Sequence, residues 1–175
     1  MAKIAVLIDN MFEDAEYGKP AKAFLKAKHD LVHISIKKGA VKGLKKRRAV
    51  PIDQRASESS IDDFDALFIP GGYSPDQLRI DDDVVSFVQK FAQSGKPVFF
   101  ICHGAQLLIA ADVLRGRKAT GWKSITMDIR NAGAEFLDQE VVEDGNFISS
   151  RNPSDIPAFI AACLAKLQPS EALVG

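Results

Sequence analysis

A cysteine followed at once by a histidine and a glycine, Cys102, His103 and Gly104, stands directly after four unbroken apolar residues, 98–101, and directly before the helix-forming run Ala105, Gln106, Leu107, Leu108. That order reads as a buried strand, a sharp turn and a helix. The turn would put the thiol at the carboxyl end of a strand and the amino end of a helix, where unpaired N–H groups and the helix dipole favour a thiolate. A lone cysteine after an apolar run is otherwise a small buried hydrophobe. Here His103 would place a polar ring in that core, and Gly104 permits a close backbone approach, so the three residues together fit an exposed reactive position. The general hydrolase elbow carries glycine two places before and two places after its nucleophile; Phe100 holds the first place and only Gly104 the second.

Two more loops follow apolar strands. After 66–69 come Pro70, Gly71, Gly72, Tyr73, Ser74, Pro75 and Asp76, where paired glycines could turn backbone N–H groups toward a developing oxyanion; by itself such a sequence is more often a plain turn. The first strand, 3–8, ends in Asp9, Asn10, Met11, Phe12, Glu13, Asp14, Ala15 and Glu16. In that acidic cluster Asp14 and Glu16 read as capping charges at a helix start, and Glu13, nearer the strand end, is the better site candidate.

The elements that must position these loops alternate along the chain. Strands are expected at 3–8, 31–36, 66–69 and 98–101, and helices at 14–28 and 81–93. The second helix shows an apolar side built from Val84, Val85, Phe87, Val88 and Phe91, opens on Asp81, Asp82 and Asp83, and is stopped by Gly95 and Pro97. Buried strands alternating with covering helices imply an α/β fold, a mostly parallel sheet sandwiched by helices, with the ligand site at the strands' carboxyl ends. With 175 residues, 46% of them hydrophobic, one domain spanning 1–175 is expected.

Composition narrows the function. The 23 basic residues balance the 23 acidic ones, so net charge calls for neither nucleic acid nor an anionic membrane. The basic stretch 37–48 lacks interleaved aromatics and reads as a solvated hairpin or loop around Gly39 and Gly43. The N-terminal apolar run is too short for a signal core or a membrane span, and a cytoplasmic protein is expected. Two cysteines give no disulfide framework; Cys163, among alanines and leucine in a helical run, reads as a buried inert thiol. His29 and His33 lie far from the site loops in sequence, and no metal or other cofactor is called for.

Taken together, the motifs resemble the PfpI branch of the ThiJ/PfpI superfamily, and are especially similar to bacterial stress proteins reported as deglycases or glyoxalases. The resemblance rests on Asn10 with Met11, Phe12, Glu13, Asp14; on Pro70, Gly71, Gly72 with Ser74, Pro75, Asp76; and on Ile101, Cys102, His103, Gly104. It continues through Leu114, Arg115, Gly116, Arg117, Lys118, then Asn131, Ala132, Gly133, Ala134, and finally Ser149, Ser150, Arg151. It implies a flavodoxin-like, class I glutamine amidotransferase-like fold with a nucleophile elbow. It implies that Cys102 is the nucleophile, Glu13 the buried acid on its sulfur, His103 the base, and Gly72 and His103 the oxyanion-hole donors. Asp76 matches the place of a glutamate that, in hexameric archaeal members, reaches the histidine from a neighbouring subunit. Gly71 and Trp122 would line the pocket, although a core indole explains Trp122 equally well. Ala105 stands where many relatives have proline.

The expected activity is that of a cofactor-independent cysteine enzyme acting on methylglyoxal, glyoxal or their early glycation adducts and releasing hydroxy acids. Two alternatives use the same cysteine: an intracellular peptidase or amidase, for which an adjacent His103 orients poorly without a third residue, and a non-enzymatic redox sensor or chaperone oxidised at Cys102. A glutamine amidotransferase would need a downstream histidine, and none follows His103. The partners expected are a small dicarbonyl or glycated substrate and further copies of the chain, as a dimer or hexamer, with contacts sought near Asp76 and along 153–167.

Overall fold

The computed structural model describes residues 1–45 and 49–169. In chain order the elements are β1 (Lys3–Leu7), α1 (Asp14–Lys26), β2 (Asp30–Ser35), β3 (Gly39–Lys42), β4 (Ala49–Ile52), β5 (Gln54–Arg55), β6 (Ala66–Ile69), α2 (Ser74–Leu78) and α3 (Asp82–Gln93). Then come β7 (Val98–Ile101), α4 (Ala105–Ala110), β8 (Lys118–Ala119), α5 (Thr126–Asn131), β9 (Glu135–Phe136), β10 (Val142–Asp144), β11 (Phe147–Ser150) and α6 (Ile156–Leu167). Seven strands form one sheet in the order β10-β11-β7-β6-β1-β2-β5. Every pairing in it is parallel except β10 against β11.

The period of two along each strand divides the core between the two faces of the sheet. Ala5, Leu7, Leu67, Ile69, Val98 and Phe100 point to one face, where they meet Leu78 of α2, the apolar side of α3, α4 and Ile129 of α5. Ile4, Val6, Phe68, Phe99 and Ile101 point to the other, where Phe24 of α1 and Phe159 and Cys163 of α6 cover them. Strands buried on both faces explain why β6 and β7 read as unbroken apolar runs. Cys163 is fully buried, in agreement with its reading as a structural thiol.

Sequence and structure coincide for 66–69 and 98–101, and α3 begins one residue later than expected because Asp81 caps it, accepting from Val84 N–H at 2.9 Å. The basic stretch is in part the antiparallel hairpin β3–β4; its Lys46, Arg47 and Arg48 lie outside the described residues.

The carboxyl ends of β1, β6 and β7 lie side by side, and their loops are tied together by backbone bonds. Glu13 N–H donates to Gly71 O at 3.1 Å, Tyr73 N–H to Met11 O at 2.9 Å, and Phe12 pairs with Gly72 in an antiparallel bridge.

Candidate active site

Cys102 is the first residue beyond β7 and has φ +61°, a left-handed conformation that a side chain rarely adopts. This strained corner sends the thiol off the strand, and a 3-10 turn over Cys102–Gly104 leads into α4. The backbone must pass close to β6 there: a Cβ on Gly104 would stand 2.8 Å from Ile69 O. The expected elbow is therefore present, and Gly104 has the role of close approach assigned to it. The helix that follows is only six residues long, so the dipole acts here through its nearest N–H groups. Burial, followed by the charge of Glu16, pushes the thiol up, and the N–H groups of His103 and of Gly72 in the loop after β6 only partly oppose it, so the net shift is upward and the resting sulfur is a thiol, not the thiolate that the helix terminus alone would favour.

The acid at the sulfur is Glu16, not Glu13. Glu13 is the N-cap of α1, and its Oε2 accepts from Glu16 N–H at 2.8 Å. With the cap fixed at Glu13, Glu16 falls in the first turn and faces inward beneath the glycine pair, 0% exposed. Both its oxygens are buried without a well-formed hydrogen bond; the Cys102 thiol and the Gly71 backbone are the polar groups that act on it. Burial, with the nearby Glu13 charge adding to it, pushes the Glu16 carboxyl up to about 8. It is therefore protonated at neutral pH and able to donate to sulfur.

Gly71 and Gly72 are dictated by this packing. A Cβ on Gly71 would lie 2.3 Å from Glu16 Oε1 and 2.9 Å from Cys102 Cβ. Gly72 has φ +80°, and a Cβ there would lie 2.5 Å from both Glu13 N and Met11 O. Neither position admits alanine without movement of the acid or of the neighbouring loop. The same crossing aims Gly72 N–H at Cys102, which makes the Pro-Gly-Gly loop more than a turn.

His103 places Nδ1 3.4 Å from Cys102 Sγ, and its half-buried ring is kept toward the neutral form, chiefly by desolvation. Asp76 raises the His103 pKa through its charge and Arg79 opposes it. Asp76 itself is exposed and bound to Arg79 in the same helical segment. Among the described residues no carboxylate hydrogen-bonds the ring within one chain. Trp122 lies on the other side of His103, with ring centroids 6.5 Å apart, and its backbone N–H donates to Cys102 O at 3.1 Å. It is 39% exposed, so the indole is a wall at the surface and not a core residue. Among the described residues no three His, Cys, Asp or Glu side chains gather as metal ligands would, and no helix is long and apolar enough to cross a membrane.

The elbow, the buried glutamic acid and the paired N–H groups sit within one described unit, and the DJ-1/PfpI family profile matches residues 2–166 of it. The chain belongs to the DJ-1/PfpI family. It is 54% identical over 159 residues to protein/nucleic acid deglycase 2 of Escherichia coli, covering 90% of this chain and 92% of that one. It is 52% identical over 168 residues to general stress protein 18 of Bacillus subtilis, covering 95% and 98%. Among solved structures, a two-domain protein of Anabaena variabilis with DJ-1/ThiJ/PfpI-like and ferritin-like domains superposes with a TM-score of 0.94 at 39% identity, over 100% of this chain and 50% of that one. The present chain thus spans half the length of that two-domain protein and nearly all of the two sequence relatives. This DJ-1/PfpI chain keeps the α/β sandwich of its relatives, and its cysteine occupies the topological position where open parallel sheets bind ligands.

Proposed function

We propose that the protein is a cofactor-independent cysteine enzyme that converts reactive dicarbonyls, with methylglyoxal as the reference substrate, and their early glycation adducts into hydroxy acids. The observation that carries this reading is the wholly buried Glu16, protonated at neutral pH, set against a cysteine on which two backbone N–H groups already converge. The names of the Escherichia coli and Bacillus subtilis relatives, a deglycase and a stress protein, point in the same direction.

Cys102 sulfur attacks the aldehyde carbon, its thiol proton being taken by His103 Nδ1 at 3.4 Å. The carbonyl electron pair moves to oxygen, which the N–H groups of Gly72 and His103 stabilise and Glu16 protonates, giving a hemithioacetal. The Glu16 carboxylate so formed removes the hydrogen of the former aldehyde carbon as a proton while the proton held by His103 passes to the second carbonyl oxygen, leaving a neutral enediol; Glu16 then returns its proton to the adjacent carbon, and the first hydroxyl gives its proton to His103 as it becomes the thioester carbonyl. The product is a thioester of Cys102; water cleaves it, His103 returns its proton to the departing sulfur, and a proton of the attacking water restores Glu16 as the hydroxy acid leaves. Methylglyoxal plus water becomes lactate in this sequence, with no net oxidation.

The test is methylglyoxal consumption with stereospecific lactate detection, for the wild type, Cys102→Ala, Glu16→Gln and Glu13→Gln at matched circular dichroism. Turnover is expected to vanish in the first two variants and to persist, reduced, in Glu13→Gln, where an amide oxygen can still cap α1. Full turnover in Cys102→Ala would overturn the reading. A covalent acyl-enzyme on Cys102 with peptide substrates and no dicarbonyl turnover would favour the peptidase.

We also place assembly in this proposal. Copies of the chain would meet at the α2 face, bringing Asp76 to a neighbour's His103, because among the described residues no carboxylate of the same chain hydrogen-bonds that ring.

A further inference from the structure

Glu16 is wholly buried, and neither of its oxygens has a well-formed hydrogen bond. No such bond steers the carboxyl, so its place beneath the glycine pair is set by where the first turn of α1 lies. The backbone fixes part of that turn: Glu16 N–H donates to the cap at Glu13, Tyr17 N–H donates to Glu13 O at 3.1 Å, and Glu13 N–H donates to Gly71 O. These bonds tie the turn to its own loop and that loop to the one after β6.

Tyr17, the residue after the acid, ties the same turn to β2. Its ring packs edge-on against Phe12, with centroids 5.3 Å apart, and against His33 of β2, with centroids 5.6 Å apart. Its hydroxyl stands 2.7 Å from His33 Nε2. Asp53 decides the direction of that bond. One carboxylate oxygen of Asp53 accepts from His33 backbone N–H at 2.8 Å and faces the ring's Nδ1 at 3.5 Å. A proton on Nδ1 faces the acid, which leaves Nε2 as the acceptor and Tyr17 OH as the donor. Burial holds the His33 ring toward its neutral form, against the pull of Asp53, and keeps Nε2 an acceptor at neutral pH. Asp14 and Lys22 are the charged side chains that line the groove beside Tyr17 and His33.

We propose that Tyr17 and His33 are positioning residues for the acid: their hydrogen bond holds the first turn of α1 against β2 so that the Glu16 carboxyl stays within reach of the Cys102 sulfur. Neither carries a proton in the reaction. A catalytic group displaced by about 1 Å can lose on the order of 100-fold in rate, so the hydroxyl beside the acid matters to turnover more than one hydrogen bond matters to the fold. The inference rests on the proposed reaction for turnover alone, because the ionisation of Glu16 beside Cys102 can be read without any substrate.

Four variants, compared with the wild type at matched circular dichroism, test it. Tyr17→Phe keeps the ring contacts and removes the hydroxyl. His33→Leu removes the acceptor, and His33→Gln returns one, since an amide oxygen can stand in for Nε2. Lys22→Ala, in the same groove, is the control. With methylglyoxal, Tyr17→Phe and His33→Leu are expected to lower kcat about tenfold with KM little changed, and His33→Gln to recover most of the loss. The second readout is the rate of Cys102 alkylation by iodoacetamide from about pH 6 to 10, with the adduct assigned by mass. Glu16 ionises at about 8, and its charge opposes the thiolate, so the rise of the wild-type rate with pH should flatten near that value. In Tyr17→Phe and His33→Leu the flattening should come roughly half a pH unit or more earlier, because an acid moved from its dry seat regains water. Lys22→Ala should follow the wild type in both readouts. A lowered thermal midpoint with kcat and the alkylation profile unchanged would make the pair structural only and overturn the proposal. So would equal losses in His33→Gln and His33→Leu, since the bond would then play no part. No methylglyoxal turnover in the wild type would remove the reaction and leave the alkylation profiles to decide: a shifted profile upholds the positioning role and an unshifted one overturns it.

Discussion

At Gly71 a single missing carbon decides whether the acid can reach the sulfur, since a Cβ would stand 2.3 Å from Glu16 Oε1. Gly71→Ala is expected to cost roughly 1–3 kcal/mol of stability by overpacking and to reduce turnover far more than that loss of fold explains. Thermal midpoint and kcat/KM on one preparation separate the two. Glu16 also sets a pH signature. Its folded pKa, about 8, lies above its ordinary 4.5, so the folded state keeps a proton that the unfolded chain releases. The associated stability is complete below pH 4.5 and is lost as pH rises through about 8, with a slope of up to ~1.4 kcal/mol per pH unit. Glu16→Gln has no proton to lose, and its stability should be flatter than that of the wild type from pH 5 to 9 in denaturant titrations. Choosing between Glu13 and Glu16 from sequence turned on where α1 begins. Both are acids near a helix start, and only the cap at Glu13, three residues before Glu16, sends the second one inward. The Glu-x-x-Glu spacing of a capping box was the available signal.

The elements carry loads of a different kind. The turn from β11 into α6 is closed by Asp155, 2% exposed, whose carboxylate receives Arg151 N–H and both arms of the Arg151 guanidinium. Burial pushes the Asp155 carboxyl up, but those hydrogen bonds outweigh it and the net shift is downward. A depressed folded pKa contributes stability that is present above the ordinary carboxylate value of 3.8 and is lost as pH falls through the folded one. Asp155→Asn should destabilise the protein by about 2 kcal/mol at pH 7 and progressively less toward pH 3, as urea midpoints across that range would show. Doubly buried strands such as β6 and β7 were legible because four consecutive apolar residues have few other uses. The pairs β5, β8 and β9, two residues each, carry no periodicity, and the antiparallel β10 is a tertiary decision made at a sheet edge. Trp122 was ambiguous for a similar reason: an indole after a glycine says nothing about which side of the sheet it faces.

Across the whole molecule, β1, β6 and β7 deliver three loops to one point, and the alternation of strands with helices made that convergence readable before any coordinates. What lies between copies was not readable, because no pattern in one chain marks a mutual surface. Ile80, 81% exposed, and Tyr73, 59% exposed, flank Asp76 on the α2 side. On the proposed assembly, Ile80→Asp should shift the mass measured by light scattering toward a single chain and lower turnover with it. An unchanged mass would place the contact elsewhere.

The two thiols differ in what must happen before a reagent can meet them. Cys102 is buried but for 7% of its surface, less open than the exposed position its neighbours suggested, whereas Cys163 is sealed between the sheet and α6 with none of its area in water. A native chain should consume one equivalent of a thiol reagent promptly and the second only as often as α6 lifts from the sheet or the fold opens entirely. The slow equivalent is thus a built-in clock for the breathing of that face, running in the same tube as the chemistry at the other cysteine.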